Sequence, residues 1–157
     1  AKLAAELGLP EPTWHLVGHL QTNKARAAAG AFAILHGIDS TRLLQVLDRA
    51  AAAPVRVLLE VNVAGEPSKF GFAPEDVAGA VALAQTLAHI EVAGLMTVAP
   101  RADDPEDVRP VFRWLAELAR GLGLPELSMG MSEDFEVAIE EGATMVRIGR
   151  AIFGERG

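Results

Sequence analysis

Two short segments near the C-terminus combine the residue types that hold anions. Leu127-Ser128-Met129-Gly130-Met131-Ser132 runs from an apolar stretch into a helix signal at Ser132. A serine hydroxyl at a helix N-cap, with the first free backbone N–H groups beside it, suits an anion. Val146-Arg147-Ile148-Gly149-Arg150 ends a second apolar stretch at Gly149, where a missing Cβ lets a ligand approach the backbone, and a short helical turn is expected to follow. Each segment alone is equally an ordinary cap and turn. At consecutive strand ends of a barrel, however, the pair occupies the usual phosphate position.

Other reactive residue types are sparse. The only lysines are Lys2, Lys24 and Lys69, against eleven arginines. Lys69 follows the longest apolar run and is the tempting amine, but an activated amine needs burial or a cationic neighbour, so a solvated loop lysine is the expectation. Lys24 reads as a helix-surface residue on the same ground. His15 and His19 fall on a strand and in the next loop with no third ligand in view, so no metal site is predicted. His19 is instead placed at the rim of the strand-end opening. Glu60 shares a strand face with Asn62 and has no obvious partner. Glu133 and Asp134 fall in the first turn of a helix, where acids favour the dipole. Arg109, Arg113 and Arg120, with Trp114, read as a solvated helix face.

Composition narrows the function classes. Among 157 residues the formal net charge is −7, which argues against a non-specific grip on nucleic acid. There is no apolar run long enough to span a membrane and no signal-peptide pattern, which predicts a cytoplasmic protein with no membrane partner. The sequence contains no cysteine, hence no disulfide, thiolate nucleophile or sulfur-ligated metal.

The elements that must position these residues alternate along the chain. Ala1 to Leu7 reads as a short helix without an N-cap, as though continuing a longer one. Strands are predicted over 14–18, 32–38, 55–63, 90–98, 127–131 and 145–149. The clearest has Val55, Val57, Leu59, Val61 and Val63 in period two. Between them, Thr22 caps a helix to Ala29, and Asp39 and Ser40 offer caps to a helix over Leu43–Leu47. Pro74 opens another helix, with Glu75 and Asp76 in its first turn. Asp104 to Asp107 begin an amphipathic helix bearing Val108, Val111, Phe112, Leu115, Leu118 and Leu122, whose regular part Pro110 delays. Ser132 to Glu141 forms the next. Six strands separated by helices predict an α/β domain with a parallel sheet over 1–157, undivided by any linker.

The segments Trp14-His15-Leu16-Val17-Gly18-His19-Leu20-Gln21-Thr22-Asn23-Lys24, Ser68-Lys69-Phe70-Gly71, Gly94-Leu95-Met96-Thr97, Ser128-Met129-Gly130-Met131-Ser132-Glu133-Asp134 and Met145-Val146-Arg147-Ile148-Gly149 follow one another in an order and spacing that carry a resemblance. With Ala151-Ile152-Phe153-Gly154, they resemble the pyridoxal phosphate homeostasis proteins, which share the alanine racemase N-terminal barrel. The resemblance implies a (β/α)8 TIM-type barrel, here about six of its eight βα units, with pyridoxal 5′-phosphate as cofactor. It places Ser132, the backbone of Gly149 and Arg150 at the phosphate, and Arg147 at the pyridine nitrogen. Asn62 and Met96 would face the cofactor from their strand ends. Family members often carry a small hydroxyl residue where this chain has Arg150, which restricts that contact to the backbone. The family's cofactor lysine lies on an early strand, before the Trp14-His15 segment, so the chain is expected to be an N-terminally truncated barrel with two exposed sheet edges.

The implied function is a non-catalytic carrier or regulator in intracellular pyridoxal phosphate homeostasis, with cofactor-requiring apo-enzymes as possible recipients. An arginine at the pyridine nitrogen disfavours ring protonation and weakens the ring as an electron sink. The alternative is a racemase-like enzyme, which would need a lysine and an opposing acid or base, often a tyrosine; this chain has no tyrosine. A phosphometabolite isomerase or aldolase barrel would need a lysine or paired carboxylates at the strand ends.

Overall fold

The alternation of branched apolar runs with alanine- and leucine-rich ones is realised as a single six-stranded parallel sheet. The computed structural model describes Glu6, Gly8 and residues 10–154, so the helix expected over 1–7 lies, but for Glu6, outside the described residues. The strands are β1 (His15–Leu16), β2 (Ile34–Ile38), β3 (Val55–Glu60), β4 (Ile90–Met96), β5 (Glu126–Met131) and β6 (Met145–Arg147). They pair in sequence order, every neighbour parallel. All six predicted strands are present. Five are shorter than expected: β1, β3, β4 and β6 give up their final residues to the loops that follow them, and β2 its first two.

The helices are α1 (Ala25–Ala31), α2 (Thr41–Ala50), α3 (Val77–Ala84), α4 (Arg109–Gly121), α5 (Phe135–Glu140) and α6 (Arg150–Phe153). Three begin with a 3-10 turn. Thr22 does not cap α1: a 3-10 turn over Thr22–Lys24 precedes it without any side-chain cap. Ser40 caps α2 through a hydrogen bond from Leu43 N–H, whereas Asp39 is drawn away by His19. The Pro74–Asp76 turn leads into α3. Pro110 sits in the first turn of α4, where its missing N–H has no intrahelical partner to lose, so the regular helix starts at Arg109 after a turn over Pro105–Val108.

Both faces of the sheet are covered. The helix-facing side carries Leu35 and Ile38 of β2, Val57 and Leu59 of β3 and Leu95 of β4, packed with Leu43, Leu44 and Leu47 of α2 and Phe112 and Leu115 of α4. The α4 residues recur at i, i+3, i+4 and i+7 (Phe112, Leu115, Ala116, Ala119), the stripe a helix lays on a sheet. The other face encloses a smaller cluster of Ile34, Leu58, Ala93 and Met96, with Val98 and Met145 against it. Side chains of β2 and β5 meet across this enclosed side, His36 Nδ1 lying 2.9 Å from Ser128 Oγ, so the sheet curls round a lumen. Below the apolar cluster Arg56 pairs with Glu91 at 3.0 Å and approaches Glu126 at 4.0 Å, at the opposite strand ends from the loops of interest.

Two glycines make the curl possible. A Cβ on Gly94 would stand 1.9 Å from the Glu126 carbonyl oxygen, and one on Gly37 would stand 2.3 Å from that of Gly18. Among the described residues, no helix is long and apolar enough to cross a membrane.

Candidate functional site

The carboxyl ends of the strands converge on the upper lumen, and Arg147 is the charged residue that spans it. At the end of β6, it donates from Nη1 to Ser128 Oγ and from Nη2 to the Thr97 carbonyl, each at 2.8 Å. Thr97 in turn donates to the Val61 carbonyl at 2.8 Å, locking the ends of β3 and β4 together. Burial pulls the Arg147 pKa down, while the Asp134 and Glu60 carboxylates oppose that shift.

Four polar or charged residues are buried in the sheet and its strand ends: His36, Glu60, Thr97 and Ser128. His36 was not singled out by sequence reasoning. The available signal was a lone histidine inside the apolar run Phe32–Ile38, which periodicity does not separate from its neighbours. Its Nε2 lies 3.0 Å from His15 Nδ1, so a polar chain runs His15, His36, Ser128, Arg147. Burial, then the nearby His15 and Arg147 charges, lower the His36 pKa to about 4. For Glu60, burial and the neighbouring Asp39 raise the carboxyl pKa.

A cavity of about 180 Å³ opens at the ends of β3 and β4, lined in part by Glu60, Asn62, Lys69, Phe70 and Val98. Asn62 clasps its own loop, its Nδ2 donating to the Glu66 carbonyl at 2.8 Å and its Oδ1 accepting from Glu66 N–H at 3.1 Å. Lys69 is not the solvated loop lysine expected. Its Nζ pairs with Glu66 at 2.5 Å and reaches the Ala99 carbonyl at 3.3 Å, pinning the loop after β3 to the one after β4. His19 holds Asp39 at 2.6 Å and stacks on Phe70, the rings 4.2 Å apart and 15° from parallel, so it does stand at the rim. Met96 lies beneath this level, 1% exposed, as part of the lumen floor.

The loops after β5 and β6 are joined, but Ser132 is not the N-cap of the following helix. That helix begins at Phe135, because Asp134 turns back and its Oδ1 accepts the Met131 N–H at 2.5 Å. Asp134 therefore closes the turn before the helix, and its neighbour Glu133 pairs with Arg150 Nη2 at 2.6 Å; neither lies in a first helical turn as expected. Released from capping, Ser132 Oγ accepts the Ala151 N–H of α6 at 3.2 Å, which ties the two predicted anion-binding loops together. The Arg150 side chain is held by Glu133. Arg109 and Arg113 are likewise more than a solvated face. Arg109 joins Glu106, Glu140 and Glu141, and Arg113 joins Glu141, stapling α4 to α5.

The curled parallel sheet has known counterparts. Residues 2–157 match the family model of the alanine racemase N-terminal domain, and the chain belongs to that family. Within it the chain belongs with the pyridoxal phosphate homeostasis proteins. It is 47% identical to the one from Aquifex aeolicus, over 91% of this chain and 67% of that protein. It is 41% identical to the one from Pseudomonas aeruginosa, over 97% and 68% respectively. The chain thus spans about two thirds of the length of these curated relatives. PipY of Synechococcus elongatus, solved with PLP bound, superposes with a TM-score of 0.82 at 35% identity, covering 96% of this chain and 75% of PipY. An alanine racemase from Corynebacterium glutamicum shares the fold alone, at 24% identity and a TM-score of 0.73, over 99% of this chain and 45% of the racemase.

Proposed function

We propose that this chain binds pyridoxal 5′-phosphate at the carboxyl end of its sheet and serves intracellular cofactor homeostasis as a carrier or regulator without a reaction of its own. The observation that carries the reading is the joined loop pair Ser132–Ala151 beside Gly149. The Gly149 φ is −122°, and a Cβ there would meet no protein atom within 4 Å, so neither a positive φ nor packing accounts for the glycine. The space is open for a ligand. Ser132 accepts from Ala151, which leaves its own hydroxyl proton to donate to a phosphate oxygen.

In this reading Ser132 and the backbone of Gly149 and Arg150 hold the phosphate. Arg147, which can only donate, faces the pyridine nitrogen and keeps it unprotonated. Asn62 retains one amide N–H beyond its clasp on Glu66, and Met96 supplies the floor. When bound, the cofactor supplies an aldehyde that condenses with amines and an electron-withdrawing ring. The names of the relatives support the homeostasis role, and apo-enzymes that need the cofactor are the natural recipients.

The test is titration of the chain with pyridoxal 5′-phosphate, followed by borohydride reduction and mapping of any modified lysine. Saturable binding is expected, with Ser132→Ala weakening it about tenfold through one lost hydrogen bond to a charged group. Absence of binding sinks the proposal, and rapid racemisation of alanine by the loaded protein would overturn its non-catalytic part.

A further inference from the structure

The polar chain across the lumen has a direction that elementary chemistry fixes. A guanidinium donates and never accepts, so Ser128 Oγ accepts from Arg147. Ser128 is 0% exposed, and its hydroxyl proton needs an acceptor of its own. Among the described residues, the other hydrogen-bond partner of Ser128 Oγ is His36 Nδ1, at 2.9 Å. That nitrogen must therefore carry its lone pair and Nε2 the proton, which is donated to His15 Nδ1 at 3.0 Å.

We infer that His36 is a positioning residue for Arg147: as the neutral Nε2–H tautomer it takes the Ser128 proton, so the serine lone pair faces Arg147 and fixes the guanidinium across the lumen. Two acceptors then anchor Arg147, Ser128 Oγ from β5 and the Thr97 carbonyl after β4. Its remaining N–H groups are left for an incoming acceptor that bears no proton, such as an aromatic ring nitrogen. Protonated His36 would offer an N–H where the serine needs a lone pair. The charged or titratable groups facing His36 are His15 from β1 and Arg147 from β6, and both disfavour that second proton, as burial does. The role toward a ring nitrogen rests on the pyridoxal phosphate reading; the tautomer and the anchoring of Arg147 do not.

Two measurements on the whole chain separate these layers. Long-range 1H–15N correlation at pH 7 is expected to show His36 neutral and protonated on Nε2. A proton on Nδ1, or an imidazolium, overturns the inference whatever the ligand. Ser128→Ala removes the hydroxyl that selects the tautomer, and the same spectrum should then show His36 as a mixture; an unchanged pattern also overturns it. The second measurement is pyridoxal 5′-phosphate affinity in H36F, which has no acceptor for Ser128, and in H36N, whose Oδ1 stands near the lost Nδ1. H36F is expected to bind about tenfold more weakly, and H36N to recover most of that loss. Equal losses in two well-folded variants would mean that His36 only fills space. Failure of the native chain to bind the cofactor refutes the functional proposal and leaves the tautomer result to decide the inference.

Discussion

The two faces of one strand do different work in this molecule. Along β3, Val57 and Leu59 face the helices and join the large core, while Leu58 and Glu60 face the lumen. The outer layer is continuous and apolar, apart from ion pairs at its rim. The lumen has a small apolar floor, above which His15, His36, Ser128, Glu60 and Arg147 gather. Stability is therefore concentrated between strands and helices, and chemistry is concentrated inside the curl. Parallel sheets with both faces covered permit this division, because polar groups can be held on the inner face without interrupting the outer core.

A truncation in the outer layer should have the largest effect on stability. Phe112 of α4 is 0% exposed and packs within the helix-facing core. Phe112→Ala is expected to cost about 3–5 kcal/mol, read from the midpoint of denaturant unfolding. If the loss were no greater than that of an exposed substitution such as Glu75→Ala, the outer layer would not be the seat of stability.

The curl itself comes next. Gly94→Ala drives a Cβ to within 1.9 Å of a backbone carbonyl, which no rotamer change can relieve. Overpacking of this kind costs about 1–3 kcal/mol. Because β4 and β5 must separate, the expected loss should be accompanied by weaker hydrogen-exchange protection at Thr97, whose N–H donates to the Ser128 carbonyl at 3.2 Å. A neutral Gly94→Ala would show that the lumen is looser than its contacts imply.

The same division explains what was legible in the sequence. Period-two alternation exposed the outer face of β3, and i, i+3, i+4 spacing exposed that of α4, because apolar residues on one face leave a periodic trace. The parallel sheet followed from the alternation of strands with helices. The lumen left no such trace. Leu58 and Glu60 occupy the positions that an alternating strand would give to solvent, yet both are buried. The His36–Ser128 contact joins residues 92 positions apart and exists only once the sheet has curled. Ser132 misled for a local reason: Asp134, two residues later, competes for the turn and wins with a carboxylate. The in-strand glycines Gly37 and Gly94 were readable signs of close backbone approach, although their partners were not.

The smallest effects are electrostatic, and they distinguish rim from lumen by pH and salt. Hydrogen bonds from Arg113 and Arg109 hold the Glu141 carboxyl at about 2, against an ordinary value of 4.5. A depressed acid stabilises fully above its unfolded pKa and loses that contribution as pH falls through the folded one. The rim therefore weakens between pH 4.5 and about 2, and Glu141→Gln should flatten that part of the melting curve. Because these arginines reach solvent, added salt should shrink the difference. His36 gives the contrasting slope. Its folded pKa of about 4 lies below the ordinary 6.5, so the unfolded chain takes up the proton first and stability falls as pH drops from 6.5 towards 4. His36→Asn should remove this upper slope, and salt should hardly change it, because the group is 2% exposed. Two slopes with the same salt sensitivity would break the distinction between rim and lumen.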